Sequence, residues 1–168
     1  MTVGSVSMGD AEVVRQVLAA REGARFAPIA MQPGGPQGLA TWGDTPVVCL
    51  PGNPVSALVS FVVLLRPVVL EAVGRAPIRP ARARLSRDVT SPAGRVQYLR
   101  ATLAPDGTAD PVSGPGSHLV ASMARADVVF LGRVALREPA WPQRAAAELG
   151  LDWRQAPYPP QYTRGKWA

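Results

Sequence analysis

Leu50-Pro51-Gly52-Asn53-Pro54-Val55-Ser56-Ala57-Leu58 decides how the rest of this chain is read. An apolar run over 47–50 stops at Pro51, and an almost wholly apolar stretch follows from 54 to about 73. That pattern is strand, tight turn, helix. Asn53 is a favoured N-cap, and Pro54 suits the first helical position. A turn of this kind brings backbone N–H groups and the positive end of a helix dipole to one point, which suits an oxyanion. Pro51 and Pro54 stiffen it, Gly52 lets a ligand approach the backbone, and Asn53 and Ser56 offer side-chain hydrogen bonds. No Gly-Lys-Ser/Thr follows, so this is not a Walker loop. Turn chemistry alone leaves a plain capped helix open as the alternative.

Within the helix, Val55, Leu58, Val59, Val62, Leu65 and Val69 are expected to be buried. So little polar face remains that packing on both sides is expected. Pro67 should kink the last turns or end the helix early. Upstream, the loop at 4–10 leads into a helix running to about Arg21, capped by Asp10 or Ser7, with Val13, Val14, Val17 and Leu18 on one face. Gly23 is placed to end it. Residues 25–31 read as extended, with Pro28 at an edge or strand end. Residues 32–38 read as a Pro/Gly turn, and 39–42 with 47–50 flank Gly43-Asp44 as a hairpin.

Downstream of a boundary near 75–80 the pattern changes to period two. Arg82 and Arg84 alternate with Ala83 and Leu85, and 96–103 reads as a strand. Asp106-Gly107 is a turn, and 109–113 returns as a partner strand. Pro115-Gly116-Ser117 opens a short helix with Leu119, Val120 and Met123 inward, and 127–131 is a further strand. The expected division is an α/β unit over 1–76, a small β-rich domain over 77–136, and an atypical tail over 137–168. Prolines and Trp141, Trp153 and Trp167 mark that tail.

Apolar residues at 47% suffice for a core, while 18 prolines and 16 glycines favour turns and short strands over long helices. The net charge of +6 is carried almost wholly by scattered arginines. No basic run is interleaved with aromatics, which argues against a nucleic-acid interface. Cys49, the one cysteine, allows no internal disulfide and reads as a buried strand thiol. No charged-then-apolar signal pattern opens the chain. The apolar run 55–65, broken by Ser56 and Ser60 and closed by Arg66, falls short of the roughly 20 residues that span a bilayer. A soluble cytoplasmic protein with no membrane partner is expected.

Leu-Pro-Gly-Asn-Pro-Val-Ser-Ala, ahead of an apolar helix with Arg66-Pro67, closely resembles the molybdopterin-binding domain of the molybdopterin molybdenumtransferase and gephyrin E-domain family. Val6-Ser7-Met8-Gly9-Asp10 resembles that family's Gly-rich loop, and residues 30–36 its Lys-Pro-Gly-Lys-Pro turn. Gly94-Arg95 with Tyr98 and Arg100 resembles a strand of its C-terminal β domain. Gly116-Ser117-His118, followed by residues 122–127, is similar to a further motif there. These motifs stand in the family's order over about residues 3–131. The resemblance implies an α/β fold: part of a doubly wound molybdopterin-binding domain, then a small β-rich C-terminal domain.

It also implies a reaction in molybdenum cofactor biosynthesis. Molybdate enters adenylylated molybdopterin and AMP leaves, with a divalent cation such as Mg2+ assisting. Asp10 and Glu12 would be the catalytic and metal-holding carboxylates, although Asp10 is equally read as a helix cap and Glu12 as a solvated first-turn acid. Gly9, Pro33, Gly34, Pro51, Gly52, Asn53, Pro54, Ser56 and Ser117 would hold the substrate. A homodimer, or association with a full-length paralogue, is the implied assembly. The alternative is a non-catalytic truncated paralogue that binds a pterin or a full-length partner.

Several positions depart from the family pattern. Gln32 and Gly35 stand where lysines are common, leaving Arg66, Arg95 or Arg125 to supply charge. His118 has no second histidine or cysteine cluster near it, so an oxyanion or structural hydrogen bond is its expected role. No strand is expected before the Gly-rich loop, and with few strands of the doubly wound sheet present, the long helix is expected to lack part of its packing surface. After Phe130 the sequence leaves the family pattern, as a shifted reading frame or a lineage-specific extension.

Overall fold

A computed structural model describes residues 1–131 apart from 8, 10, 11, 77–79, 115 and 117, with the backbone alone given for Val128–Leu131. Asp10, Ser117 and the tail over 137–168 therefore lie outside the described residues.

The first sheet has the order β1-β5-β4-β2, with β1 at Thr2–Val3, β2 at Arg25–Pro28, β4 at Pro36–Trp42 and β5 at Thr45–Leu50. β1 runs parallel to β5, pairing Thr2 with Cys49 and Val3 with Leu50, while β4 is antiparallel to both β5 and β2. A strand does precede the Gly-rich loop, contrary to expectation. At two residues it is too short to leave a periodic signal. The hairpin forms as read, with Trp42 opposite Thr45. Gly43 has φ 58 and Asp44 is not left-handed, the arrangement of a type II′ turn. Pro28 closes β2, as a residue without a donor should.

β3 (Met31–Gln32) is a second unforeseen strand. Sequence assigned Gln32 to a turn reaching Gly38, but the turn is confined to 33–35 and β4 begins at Pro36. β3 pairs parallel with the start of β7 (Val96–Leu103), Met31 facing Val96. β7 also pairs antiparallel with β8 (Thr108–Pro111) and β9 (Val128–Leu131), and β6 (Arg84–Leu85) adds to β8. The second sheet therefore takes a strand from the first half of the chain. One core cluster unites Ile29, Met31, Val55 and Val59 with Val96 and Tyr98. The other gathers Val6, Leu18, Ala40 and Cys49.

α1 spans Val13–Ala19 with Glu12 at its N-cap position, so the helix begins later than Asp10 or Ser7 would set it. Ala20, not Gly23, ends it. Leu18 is buried and Val14 half-buried, whereas Val13 and Val17 are exposed. α4 is one turn, Ala121–Ala124, beginning later than Pro115; Met123 packs inward as read, but Val120 is exposed.

The long helix runs continuously over Pro54–Ala72, as α2 (Pro54–Ser60), a π-helical turn (Phe61–Leu65) and α3 (Arg66–Ala72). It does not end at Pro67. Arg66 N–H reaches Phe61 O five residues back, and this wider turn sits where Pro67 has no N–H to give. Val55 and Val59 are fully buried, each burial stabilising by about 1.5–3 kcal/mol. The rest of the expected face is not covered. Leu58 is 40% exposed and Val69 44%, while Val62 and Leu65 are half-buried. Packing on one side only is the finding: Val55 and Val59 are buried and Val63 and Leu64 pack against the same cluster, while Leu58, Val68 and Val69 stay exposed. The helix is also longer than the apolar run suggested. Its 19 residues and mean hydropathy of 2.0 are enough to cross a membrane by length and composition. Val55 and Val59 anchor its first two turns in the core, while 22% of the apolar window is buried overall.

Candidate functional site

β1 and β5 are adjacent and parallel, so the loops leaving their carboxyl ends emerge side by side, where open α/β sheets bind ligands. After β1 the chain turns at Gly4, φ 98, and Ser5, φ 55. Gly4 N–H donates to Leu50 O at 2.9 Å, tying the loop to the end of β5. A Cβ built on Gly52 falls 3.1 Å from Gly4 Cα, so the two loops touch backbone to backbone. Arg15 on α1 holds the loop from behind: its N–H donates to Ser5 O at 3.0 Å and its guanidinium to Ser7 O at 2.7 Å.

Asn53 has extended backbone angles, and its side-chain oxygen accepts from Val55 N–H at 3.2 Å. It is an N-cap, as its residue type predicts. Glu12 makes no side-chain cap bond; its Oε1 lies 3.7 Å from where a Cβ on Gly9 would sit. Of the expected carboxylate pair only Glu12 is described. Among the described residues no group of three or more His, Cys, Asp or Glu side chains is placed to hold a metal ion. The described side chains thus do not make up a Mg2+ site.

A second feature lies on the other side of the α2 start. A cleft of about 390 Å³ is lined by residues 31–36, Ser56, Arg95, Gly116 and His118. Its floor is the turn at 33–35, with a cis Gln32–Pro33 bond and Gly34 at φ 100. Gly34 packs on α2 so closely that a Cβ there would lie 2.7 Å from Ser60 Oγ. Gln37, 4% exposed, clamps the two together. Its Nε2 donates to Gly34 O at 2.7 Å and to Ser60 Oγ at 2.6 Å.

The opposite wall is held by a buried cation. Arg100 is 1% exposed, and burial lowers its pKa from the ordinary arginine value. Its Nε donates to Ser122 Oγ at 2.8 Å, and its Nη2 to Ser113 Oγ and Gly114 O, each at 2.7 Å, and to Gly116 O at 3.4 Å. Nη1 has no partner among the described residues. Arg100 thereby fixes the loop that carries Gly116 and His118 into the cleft. The His118 ring folds over Gly116, its Cε1 2.8 Å from a Cβ built there.

The expected substrate-holding residues thus fall into two groups. Gly52 sits at the Gly4 contact with Pro51 and Asn53 beside it in the chain and Pro54 starting the helix, while Pro33, Gly34 and Ser56 line the cleft; Gly9 lies beside Glu12. Of the arginines weighed as charge suppliers, Arg95 lines the cleft and Arg66 and Arg125 do not. Gln37 and Ser60 were missed. Ser56 and Ser60 stand four apart in an otherwise apolar stretch, on one helix face, and that spacing was the available signal.

Residues 1–71 match the family described as "Probable molybdopterin binding domain", and residues 82–130 match "MoeA C-terminal region (domain IV)". The chain belongs to the MoeA family. Molybdopterin molybdenumtransferase 2 from Mycobacterium tuberculosis (strain ATCC 25618 / H37Rv) is 43% identical over 136 residues, covering 76% of this chain and 34% of that protein. Molybdopterin molybdenumtransferase 1 of the same strain is 38% identical over 140 residues, covering 76% and 33%. The chain therefore spans a third of the length of these curated relatives. Among solved structures, the molybdopterin biosynthesis moeA protein from Pyrococcus horikosii aligns with a TM-score of 0.54 at 36% identity, covering 64% of this chain and 27% of that one. A shorter match joins 53 residues to NADPH dehydrogenase of Geobacillus thermodenitrificans at 49% identity, 32% of this chain and 15% of that protein. It spans too little of that protein to carry an activity.

Proposed function

We propose that this MoeA-family chain serves molybdenum cofactor biosynthesis as a molybdenumtransferase-type protein, holding adenylylated molybdopterin while molybdate joins the dithiolene and AMP leaves. The observation that carries the reading is the Gly4–Gly52 contact at the carboxyl ends of parallel β1 and β5. Neither residue has a side chain to keep a ligand away from the backbone. Asn53 uses its oxygen on the helix cap, which leaves the carboxamide nitrogen to donate to a substrate. Glu12, with Asp10, would place molybdate beside the Gly-rich loop. Mg2+ would assist as charge neutraliser in the family reading, though the described residues do not assemble its ligands. A homodimer is the assembly this reading expects, in the cytoplasm.

Binding of molybdopterin by the purified chain, and restoration of cofactor synthesis in a deficient strain, test this reading together. Binding with complementation supports it; a folded chain that does neither rules it out. One observation favours the non-catalytic alternative: only 22% of the apolar helix window is buried, a face suited to a full-length partner. Binding without complementation would favour that alternative.

A further inference from the structure

The long helix is held at one end and exposed at the other. In α2, Val55, Val59 and Ser60 are 1% exposed or less, and Ser60 Oγ accepts from Gln37. None of the seven residues of α3 is buried, and Leu70 alone is half-buried. Between the two the main-chain ladder has a gap. Arg66 N–H is given to Phe61 O, five residues back, and Pro67 has no N–H. Val62 O therefore gets no bond from either residue that could close an α or a π turn on it. Helices bend where proline or a π turn interrupts the ladder. The far end of α3 is closed separately. Gly74, at φ 70, donates its N–H to Glu71 O at 2.9 Å, and Arg75 N–H donates to Leu70 O at 2.8 Å. This is a Schellman stop. α3 thus has a boundary at each end and no buried side chain between them.

We propose that the π turn at Phe61–Leu65 is a hinge, on which α3 opens as one unit while α2 stays fixed in the core. Pro67 makes the hinge: its missing N–H leaves the gap, and its ring would clash with Val63 O in a regular α-helix, which holds the wider turn in place. The device separates two tasks. Asn53, Ser56 and Ser60 keep their positions at the start of the helix, and the arm with Val68 and Val69 can seat on another surface without pulling on them. The assignment goes beyond the transferase reading and stands whether or not the chain moves molybdenum.

Amide hydrogen exchange of the full chain, read by mass spectrometry at a dilution where it is a monomer, tests this. Amides at 70–73 exchange about a hundredfold or more faster than those at 57–60, since local opening ranges from almost no protection to that of global unfolding. Pro67→Ala supplies the missing N–H and removes the ring. It slows exchange at 70–73 by about tenfold or more, while 57–60 stay as they were. Val68→Ala, which raises helix propensity without mending the gap, slows it by about threefold at most. Pro67 is exposed, so its variant leaves the core intact. One exchange rate from 57 to 73, or a Pro67→Ala variant no slower at 70–73 than Val68→Ala, overturns the proposal.

Discussion

Gly4 and Gly52 meet backbone to backbone, with a methyl group on Gly52 destined to fall 3.1 Å from Gly4 Cα. The contact joins the loop after β1 to the turn after β5. At Gly52 nothing larger than hydrogen fits without the loops separating by a few tenths of an ångström, whereas a Cβ on Gly4 would meet Gly52 Cα at an ordinary 3.7 Å. Gly4 adds a second constraint, because its φ of 98 is one that L side chains rarely adopt. Gly4→Ala is expected to destabilise the fold by about 1–3 kcal/mol. Gly52→Ala should cost less but weaken molybdopterin binding. Urea unfolding of the two variants, read beside a binding titration, checks that order.

Gly34 offers a sharper contrast. It combines φ 100 with a built Cβ 2.7 Å from Ser60 Oγ, whereas Gly107 has φ 80 and nothing within 4 Å. Gly107→Ala should cost about 1 kcal/mol for the backbone alone. Gly34→Ala should exceed it by about 1 kcal/mol or more, for the displaced Ser60 and broken Gln37 bonds. Equal losses in thermal denaturation would show that the turn is not clamped.

Ser60→Ala removes one partner of Gln37 and leaves the other, Gly34 O, in place. A loss of about 1 kcal/mol is expected, against about 1–3 kcal/mol for Gln37→Leu, which leaves buried acceptors unpaired. Denaturant midpoints at constant slope provide the comparison.

Asp106 accepts Thr108 N–H at 2.9 Å, and that backbone bond is the main cause holding its carboxyl below the usual range. A depressed folded-state pKa gives stability that is present above the unfolded value, about 3.9 for Asp, and lost as pH falls through the folded one. Asp106→Asn should therefore reduce the pH dependence of stability below about pH 4. Acid titrations of parent and variant that superimpose in slope would refute this.

The uncovered side of the long helix, with Leu58 at 40%, Val68 at 46% and Val69 at 44% exposed, should drive association of the isolated chain. Val68→Lys with Val69→Glu should shift it towards a monomer in size-exclusion chromatography with light scattering. Their folding cost should be small, because neither residue is buried.

Much of this was legible in local chemistry. Asn53-Pro54 set the helix start, Gly43-Asp44 set the hairpin, and the strand read over Val96–Leu103 is β7 with those bounds. Long-range effects were not legible. β1 and β3 are two residues each and exist by pairing with β5 and β7, so no periodicity marks them. Helix spacing showed which residues of Pro54–Ala72 are apolar, but coverage depends on neighbouring strands, and Leu58 and Val69 are left outside. At the site, the resemblance supplied the turn residues and Arg95. The Gln37–Ser60 bond crosses 23 positions in sequence, and only the fold brings it together.

The most direct test of the central claim is a molybdopterin titration of the purified, folded chain, with Gly52→Val as the comparison. The account predicts saturable binding by the parent chain and a loss of about tenfold or more in the variant, the scale of 1.4 kcal/mol. A folded chain that does not bind molybdopterin, or a Gly52→Val variant that binds equally well, would contradict it.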